Sequence, residues 1–248
     1  MKKIFQSFVL GIIGTVMGVT VYQATKNQQQ KAREEKYHIP YGPYEAFFKK
    51  PLDTVISGTA LILLSPLFLV LTISGTIYMR GNPFFIQERP GKDGKIFRLI
   101  KFRTMDNRRD QNGKLLADAE RLNAYGKYLR KTSLDEIPEL INIVKGEMAL
   151  VGPRPLLVEY LPFYNEKEKH RHDVRPGLTG LSQVNGRNLL EWKERFKLDV
   201  VYTKKVTFVS DLKIILKTIS KVLNRSDILE NTMAAEPNFA VERKNGNV

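Results

Sequence analysis

From Thr54 to Tyr78 the chain carries 25 consecutive residues without a charged side chain, interrupted near the middle by Ser65 and Pro66. At ~1.5 Å per residue, a straight helix of that length just crosses a hydrocarbon core of ~30 Å. Pro66 removes one backbone hydrogen bond and clashes with the preceding turn, at a cost of ~3 kcal/mol. Ser65 offers its side chain to a carbonyl left unpaired, so a bend there is tolerable even in lipid. Each half of a bent helix holds only about 12 residues, too few to cross alone. Two topologies follow: a re-entrant segment that dips into the bilayer and returns, or a proline-kinked span. Lys49 and Lys50 precede the run, and Arg80, Arg89, Lys92, Lys95 and Arg98 follow it. Positive flanks mark the cytoplasmic side, so both ends ask to be inside, which favours the re-entrant form.

A second apolar stretch, Ile4–Ala24, follows Lys2 and Lys3. Its apolar core is longer than that of a signal peptide, and Tyr22-Gln23-Ala24 is a poor cleavage site, so a retained membrane helix is expected. Gly14 and Gly18 have the spacing of closely packed membrane helices, which points to a homodimer contact through this segment. Lys26, Lys31, Arg33 and Lys36 outnumber Lys2 and Lys3, placing its C-terminal end inside. A polar linker ends at Pro40, Gly42 and Pro43.

Beyond Tyr78, Phe84–Gln87 and the alternating Ile96–Phe102 flank the turn cluster Pro90–Gly94, the pattern of a hairpin. Residues 106–117 are a polar excursion. Helical pattern covers Ala119–Leu129, a stretch from Ser133–Glu136 to Lys145, Leu156–His170, Leu189–Tyr202 and Phe208–Leu223. VGPRP (151–155) and the Gly-rich 175–187 read as loops. The last helix spaces Lys213, Lys217 and Lys221 every four residues among Leu212, Ile215, Leu216, Ile219, Val222 and Leu223. That pattern suits a membrane interface or a core face with a basic outer stripe. The tail from Asn231 lacks periodicity and is expected to be disordered.

Composition narrows the chemistry. The chain has no cysteine, so disulfides, thiolate metal sites and a cysteine nucleophile are excluded, and its three histidines are too scattered for a histidine-rich metal site. A net charge of +14 over 248 residues suits nucleic acid, anionic lipid or a phosphorylated substrate. Nucleic acid is set aside: the lysines form no recognition helix or aromatic ladder, and two lipid segments fit poorly with it.

Candidate chemistry concentrates in Ser133-Leu134-Asp135-Glu136-Ile137-Pro138. Ser133 with Glu136 matches a capping box, but Pro138 fits better in a helix that starts at Asp135. In either register two carboxylates sit at the positive end of a helix, where an ionised Asp beside a phosphate site can act as a nucleophile. Arg154 between the prolines of VGPRP presents a fork matched to phosphate oxygens. Lys101-Phe102-Arg103-Thr104-Met105 closes the hairpin, and Arg175 and Arg187 stand on a flexible loop.

With Ser65-Pro66, KFRTM (101–105), Asp135-Glu136, VGPRP, RPGLTG (175–180) and QVNGRN (183–188) in order, the chain from Tyr44 to Asp227 resembles the bacterial sugar transferases. These are small monotopic polyprenyl-phosphate phosphoglycosyl transferases, and the chain is most similar to the one that initiates bacterial N-glycosylation. The resemblance implies an enzyme that moves a sugar-1-phosphate from a UDP-sugar to polyprenyl (undecaprenyl) phosphate and releases UMP. Asp135 matches the nucleophile that carries the phosphosugar, Glu136 its dyad partner, and both match the ligands of Mg²⁺, the family's cofactor. Lys101, Arg130, Arg154, Arg175, Arg187, Asp199 and Asp211 match substrate-supporting positions. Ser65 and Pro66 match the break that makes the membrane helix re-entrant.

The expected fold is α+β, mainly helical, with a short β-hairpin and interfacial amphipathic helices. Its expected parts are an N-terminal membrane helix (1–25), a linker (26–44), a re-entrant membrane helix (45–78), a catalytic domain (79–230) and a disordered tail (231–248). The expected setting is the bacterial inner membrane with the catalytic domain facing the cytoplasm, in contact with lipid and without nucleic acid. Minimal members begin near Tyr44, so the first helix is extra. A rival from another class is a basic membrane-surface scaffold without activity.

Overall fold

In the computed structural model, which describes residues 38–186, 190–224 and 238–246, the apolar run does break at Ser65-Pro66. A π-helical turn Tyr44–Phe48 leads into α1 (Lys49–Leu63), and α2 (Ser65–Tyr78) leaves it at 66°. In a continuous helix the residue at position 66 would donate to the Ile62 carbonyl, and proline cannot. The Ser65 hydroxyl donates to that carbonyl instead, at 2.7 Å. Among the described residues no single helix is long and apolar enough to cross a membrane, whereas this bent pair passes together by length and composition.

The chain divides into two units, Met1–Ile39 and Pro40–Val248, and the described elements fall in the second. The helix expected over 1–25, its glycine contact, the linker up to 37 and Arg187 lie outside the described residues. The molecule is mainly helical with a small hairpin, as expected. Strand β1 (Phe84–Pro90) pairs antiparallel with β2 (Ile96–Phe102), from Phe84↔Phe102 to Pro90↔Ile96. Phe97 and Leu99 pack on Leu140, Ile143 and Met148. The Asn142 amide donates to the Arg98 carbonyl at 2.7 Å and its oxygen accepts from the Ile100 N–H at 3.1 Å. That clamp fixes the hairpin on the helix containing Asn142.

Several expected helices are divided, two of them where an asparagine side chain caps the restarted chain. Ala119–Leu129 becomes α3 (Asp118–Arg121) and α4 (Ala124–Thr132), because Asn123 accepts from the Gly126 N–H and restarts the chain. The stretch after Ser133 is a 3₁₀ turn Leu134–Glu136 followed by α5 (Glu139–Val144). Leu156–His170 is two 3₁₀ runs, Val158–Phe163 and Glu168–His172. Pro162 lies in the first, and the Asn165 side chain accepts from the N–H groups of Lys167 and Glu168 before the second.

The two proline/glycine loops also carry structure. Strand β3 (Ala149–Val151) pairs in parallel with β4 (Gly177–Thr179), which lays VGPRP beside RPGLTG. Gly152 and Gly177 meet backbone to backbone, where a Cβ on either would overlap the other chain. Then come α6 (Leu181–Asn185), α7 (Trp192–Lys204) and α8 (Phe208–Asn224). In α8, Ile214 is in the core while Val209, Leu212, Leu216 and Ile219 are exposed among the lysines.

The tail is not wholly irregular, contrary to expectation. Asn238 caps α9 (Phe239–Lys244), and Phe239, 0 % exposed, sits among Tyr160, Tyr164, Trp192 and Phe196 at centroid distances of 4.9–5.5 Å. Arg243 adds an ion pair to Glu168, one guanidinium nitrogen donating to both carboxylate oxygens at 2.7 Å. Six residues are too few for a helical period to show in sequence; the aromatic pocket supplies the stability. Phe239→Ala is therefore expected to cost about 3–5 kcal/mol of stability, read as a lower Tm. An unchanged Tm would show that α9 does not hold this cluster.

Candidate active site

Ser133 ends α4 in a left-handed conformation (φ 54°) and makes no side-chain cap, so neither register expected for it holds. Its positive φ turns the chain sharply, and the 3₁₀ turn that follows presents Asp135 and Glu136. Pro138 stands as N-cap of α5, where a missing N–H costs nothing. One turn beyond Glu136 comes Glu139, a residue the sequence reading missed; its i,i+3 spacing was the available signal.

Three elements converge on this turn. From β2, the Lys101 ammonium reaches Glu136 Oε1 at 3.0 Å and Glu139 Oε1 at 2.8 Å. From VGPRP, an Arg154 guanidinium nitrogen donates to the same Glu136 oxygen at 3.0 Å. From α4, Arg130 Nε donates to Thr104 Oγ1 at 3.0 Å, and its charge acts on Asp135. The expected residues Lys101, Arg130, Asp135, Glu136 and Arg154 are thus brought together.

The two dyad carboxyls are held differently. Burial opposes ionisation of Glu136, but Lys101 and Arg154 outweigh it and hold the carboxyl down at about 2. Among the described residues no donor is hydrogen-bonded to Asp135; burial first, and the Glu136 charge second, push it up to about 6. Glu139, 2 % exposed, is pushed up to about 7 by burial despite Lys101. Glu136 is therefore a fixed anion in a cationic cradle, and Asp135 is an unclaimed carboxylate beside it. A carboxylate so held suits electrostatic support, and an unclaimed one suits nucleophilic attack.

The remaining candidates sit elsewhere. Asp199 pairs with Arg171 deep in the core, both 1 % exposed as side chains, and accepts from Ser182 at 2.7 Å. Arg171 also donates to the Arg154 carbonyl at 2.7 Å, so Asp199 acts on the site through the loop that carries Arg154. Arg175 donates to the Met148 carbonyl and to Asp53, both at 2.7 Å. Asp211 accepts from Lys49, and from the hydroxyls of Tyr44 and Tyr202 at 2.8 Å each. Arg175 and Asp211 thus dock α1 onto the domain and stand outside the dyad cluster. They were expected at the site from the family resemblance, and the sequence does not show these buried partners.

This docking inverts the usual amphipathic pattern. The buried face of α1 is Lys49, Asp53 and Ser57, while Val55, Ile56, Ile62 and Leu63 are exposed, as are Leu69, Val70, Ile73 and Ile77 on α2. A polar inner face and an apolar outer face suit a lipid surrounding.

A metal site would have to be built on the dyad and on groups from outside the protein. Among the described residues no group of three or more His, Cys, Asp or Glu is arranged to hold a metal. Mg²⁺ commonly takes one or two carboxylates and completes its shell with water and substrate phosphates. The unpaired Asp135 carboxylate with adjacent Glu136 fits that donor set.

Comparison with known proteins converges on one class. The model of the family described as bacterial sugar transferase matches residues 44–225. An uncharacterized sugar transferase of Bacillus subtilis, EpsL, is 46 % identical over 189 residues, covering 75 % of this chain and 94 % of that protein. The exopolysaccharide production protein ExoY of Rhizobium meliloti is 34 % identical over 197 residues, covering 73 % and 87 %. The undecaprenyl-phosphate galactose phosphotransferase of Salmonella typhimurium is 38 % identical over 197 residues, covering 72 % of this chain but 41 % of that protein.

Proposed function

Given that this chain belongs to the bacterial sugar transferase family and is a phosphoglycosyl transferase, we propose that it transfers a sugar-1-phosphate from a UDP-sugar to a polyprenyl phosphate by way of Asp135. The observation that carries this reading is the unclaimed Asp135 carboxylate beside a Glu136 whose Oε1 is held by both Lys101 and Arg154.

An Asp135 oxygen attacks the sugar-bearing phosphorus of the UDP-sugar. The bond from that phosphorus to the bridging oxygen breaks, and UMP leaves with the electron pair. A phosphate oxygen of the polyprenyl phosphate then attacks the same phosphorus, the Asp135–phosphorus bond breaks, and polyprenyl-diphospho-sugar is formed. No side-chain base is required, because the attacking phosphate is already ionised at neutral pH. Arg154 and Arg130 balance charge on the transferring phosphate, and Lys101 keeps Glu136 and Glu139 in place. Mg²⁺, held by Asp135 and Glu136, would neutralise diphosphate charge when bound.

The lipid substrate requires the site to lie at the headgroup plane. The bent α1–α2 pair is read as a re-entrant segment in the bacterial cytoplasmic membrane, its outer face in lipid. The lysine-edged α8 rests in the interface with Val209, Leu212, Leu216 and Ile219 toward the acyl chains. The ion pairs Lys49–Asp211 and Asp53–Arg175 fix the domain's height against that segment.

The test is UMP release by the purified chain in lipid nanodiscs, over a panel of UDP-sugars with undecaprenyl phosphate. One UDP-sugar, or a few, is expected to yield UMP and a polyprenyl-diphospho-sugar in equal amounts. Folded protein giving no lipid-linked product from any UDP-sugar contradicts the reading.

A further inference from the structure

Among the described residues no carboxylate pairs with the Arg89 guanidinium, on which the charges of Arg154 and Glu139 act. It stands on β1, and paired residues of an antiparallel ladder point to the same side. Phe85, Gln87 and Arg89 therefore share a face with Lys101, Leu99 and Phe97. That face packs on α5, where Leu99 meets Leu140 and Ile143 and Lys101 meets Glu139. Arg89 and Lys101 thus leave the hairpin toward the same helix.

Its bonding is incomplete. One terminal nitrogen donates to the neutral Gln87 Oε1 at 2.7 Å, while Nε is buried with no hydrogen-bond partner. A buried guanidinium without an anion is costly. Burial and the neighbouring Arg154 charge lower its proton affinity to about 10, and Glu139 is the carboxylate that acts against them. Glu139 Oε1 is itself without a well-formed hydrogen bond, though Lys101 is within ion-pair distance. The charges of Arg89 and Arg154 thus both act on Glu139, which Lys101 already pairs.

We propose that Arg89 is a substrate-binding residue, its unpartnered edge taking phosphate oxygens opposite Arg154. Of the two phosphates in the proposed reaction, on which this inference rests, the diphosphate of the soluble nucleotide is the one assigned. Phe84, at the other end of β1, packs against Phe68 of α2, and Arg89 lies five residues further on. At ~3.4 Å per residue that is ~17 Å along the strand from the membrane segment. β1 also packs on the Val158–Phe163 turn, whose Tyr160 acts electrostatically on Arg89.

The full chain in nanodiscs is titrated calorimetrically with UDP, UMP and undecaprenyl phosphate, as wild type, Arg89→Ala, Arg89→Lys and Gln87→Ala. Hydrogen bonds to charged groups contribute about 1.5–3 kcal/mol, so Arg89→Ala is expected to weaken UDP about 10- to 100-fold. UMP should weaken less, undecaprenyl phosphate should be unchanged, and Tm should not fall. Arg89→Lys keeps the charge and stem but loses the fork, so it is expected to fall between wild type and Arg89→Ala. It also serves as the variant to measure where Arg89→Ala does not fold. Gln87→Ala leaves UDP affinity near wild type. Unchanged UDP affinity in Arg89→Ala and Arg89→Lys overturns the assignment, as does weakening of the lipid phosphate alone. Gln87→Ala matching Arg89→Ala in both Tm and affinity overturns it as well, because the residue would then be structural. A wild type that binds no UDP removes the UDP-sugar reading itself, a result separable from all of these.

Discussion

Asp135→Asn is expected to lower UMP release by at least about 10³-fold, the scale of losing a covalent nucleophile. The amide has the same shape but cannot carry a phosphosugar ester. The same change should stabilise the metal-free protein at neutral pH. The Asp135 carboxyl sits near 6 in the fold, above the ordinary carboxylate value, because of burial and the adjacent Glu136. A raised carboxyl favours the fold at pH values below its unfolded value, and that contribution is lost as pH rises through about 6. Glu139 has the same sign and loses its contribution as pH rises through about 7. In chelator-containing buffer the variant should therefore gain Tm on wild type as pH rises from 5 to 8. The gain corresponds to on the order of 2 kcal/mol at the upper end. A variant that keeps turnover, or that melts below wild type at pH 8, contradicts the role given to this carboxyl.

Replacing both Ser65 and Pro66 by Ala is expected to change topology. Position 66 would again donate to the Ile62 carbonyl, and a clash of ~3 kcal/mol would go. The Ser65 hydroxyl that now takes that carbonyl would no longer be needed. The 66° bend would open toward a straight helix long enough to span. The ion pairs Lys49–Asp211 and Asp53–Arg175 oppose that change, since straightening pulls Lys49 and Asp53 away from buried partners. Loss of transferase activity is therefore expected together with the altered topology. The chain has no cysteine, so single cysteines at Lys50 and Arg80 can be labelled from either side of sealed vesicles. Both label from one side in the wild type if the segment is re-entrant. Labelling of the two from opposite sides in the wild type contradicts the membrane reading.

What the sequence made legible was local. Ser65-Pro66 breaks its helix by chemistry contained in two residues, the hairpin announces itself by alternation and a turn, and the Asp135-Glu136 pair is adjacent in the chain. What it hid depends on partners distant in sequence. Strands β3 and β4 are three residues each, and their parallel pairing joins loops about 25 positions apart. Phe239 is ordered by rings at 160, 164, 192 and 196. Family resemblance assigns Arg175 and Asp211 to the substrate site, and only the fold shows Asp53 and Lys49 bound to them. Arg89 and Glu139 gained meaning only once the hairpin was laid on α5.

The central claim is that transfer passes through a covalent phosphosugar on Asp135. Incubating the wild type in nanodiscs with UDP-sugar and no polyprenyl phosphate, then mapping peptides of the quenched protein by mass, tests it directly. The expected result is a single phosphosugar adduct on Asp135, formed with an equal amount of UMP and lost when undecaprenyl phosphate is added. An adduct on another residue, or turnover with both substrates and no adduct at any time, would contradict it.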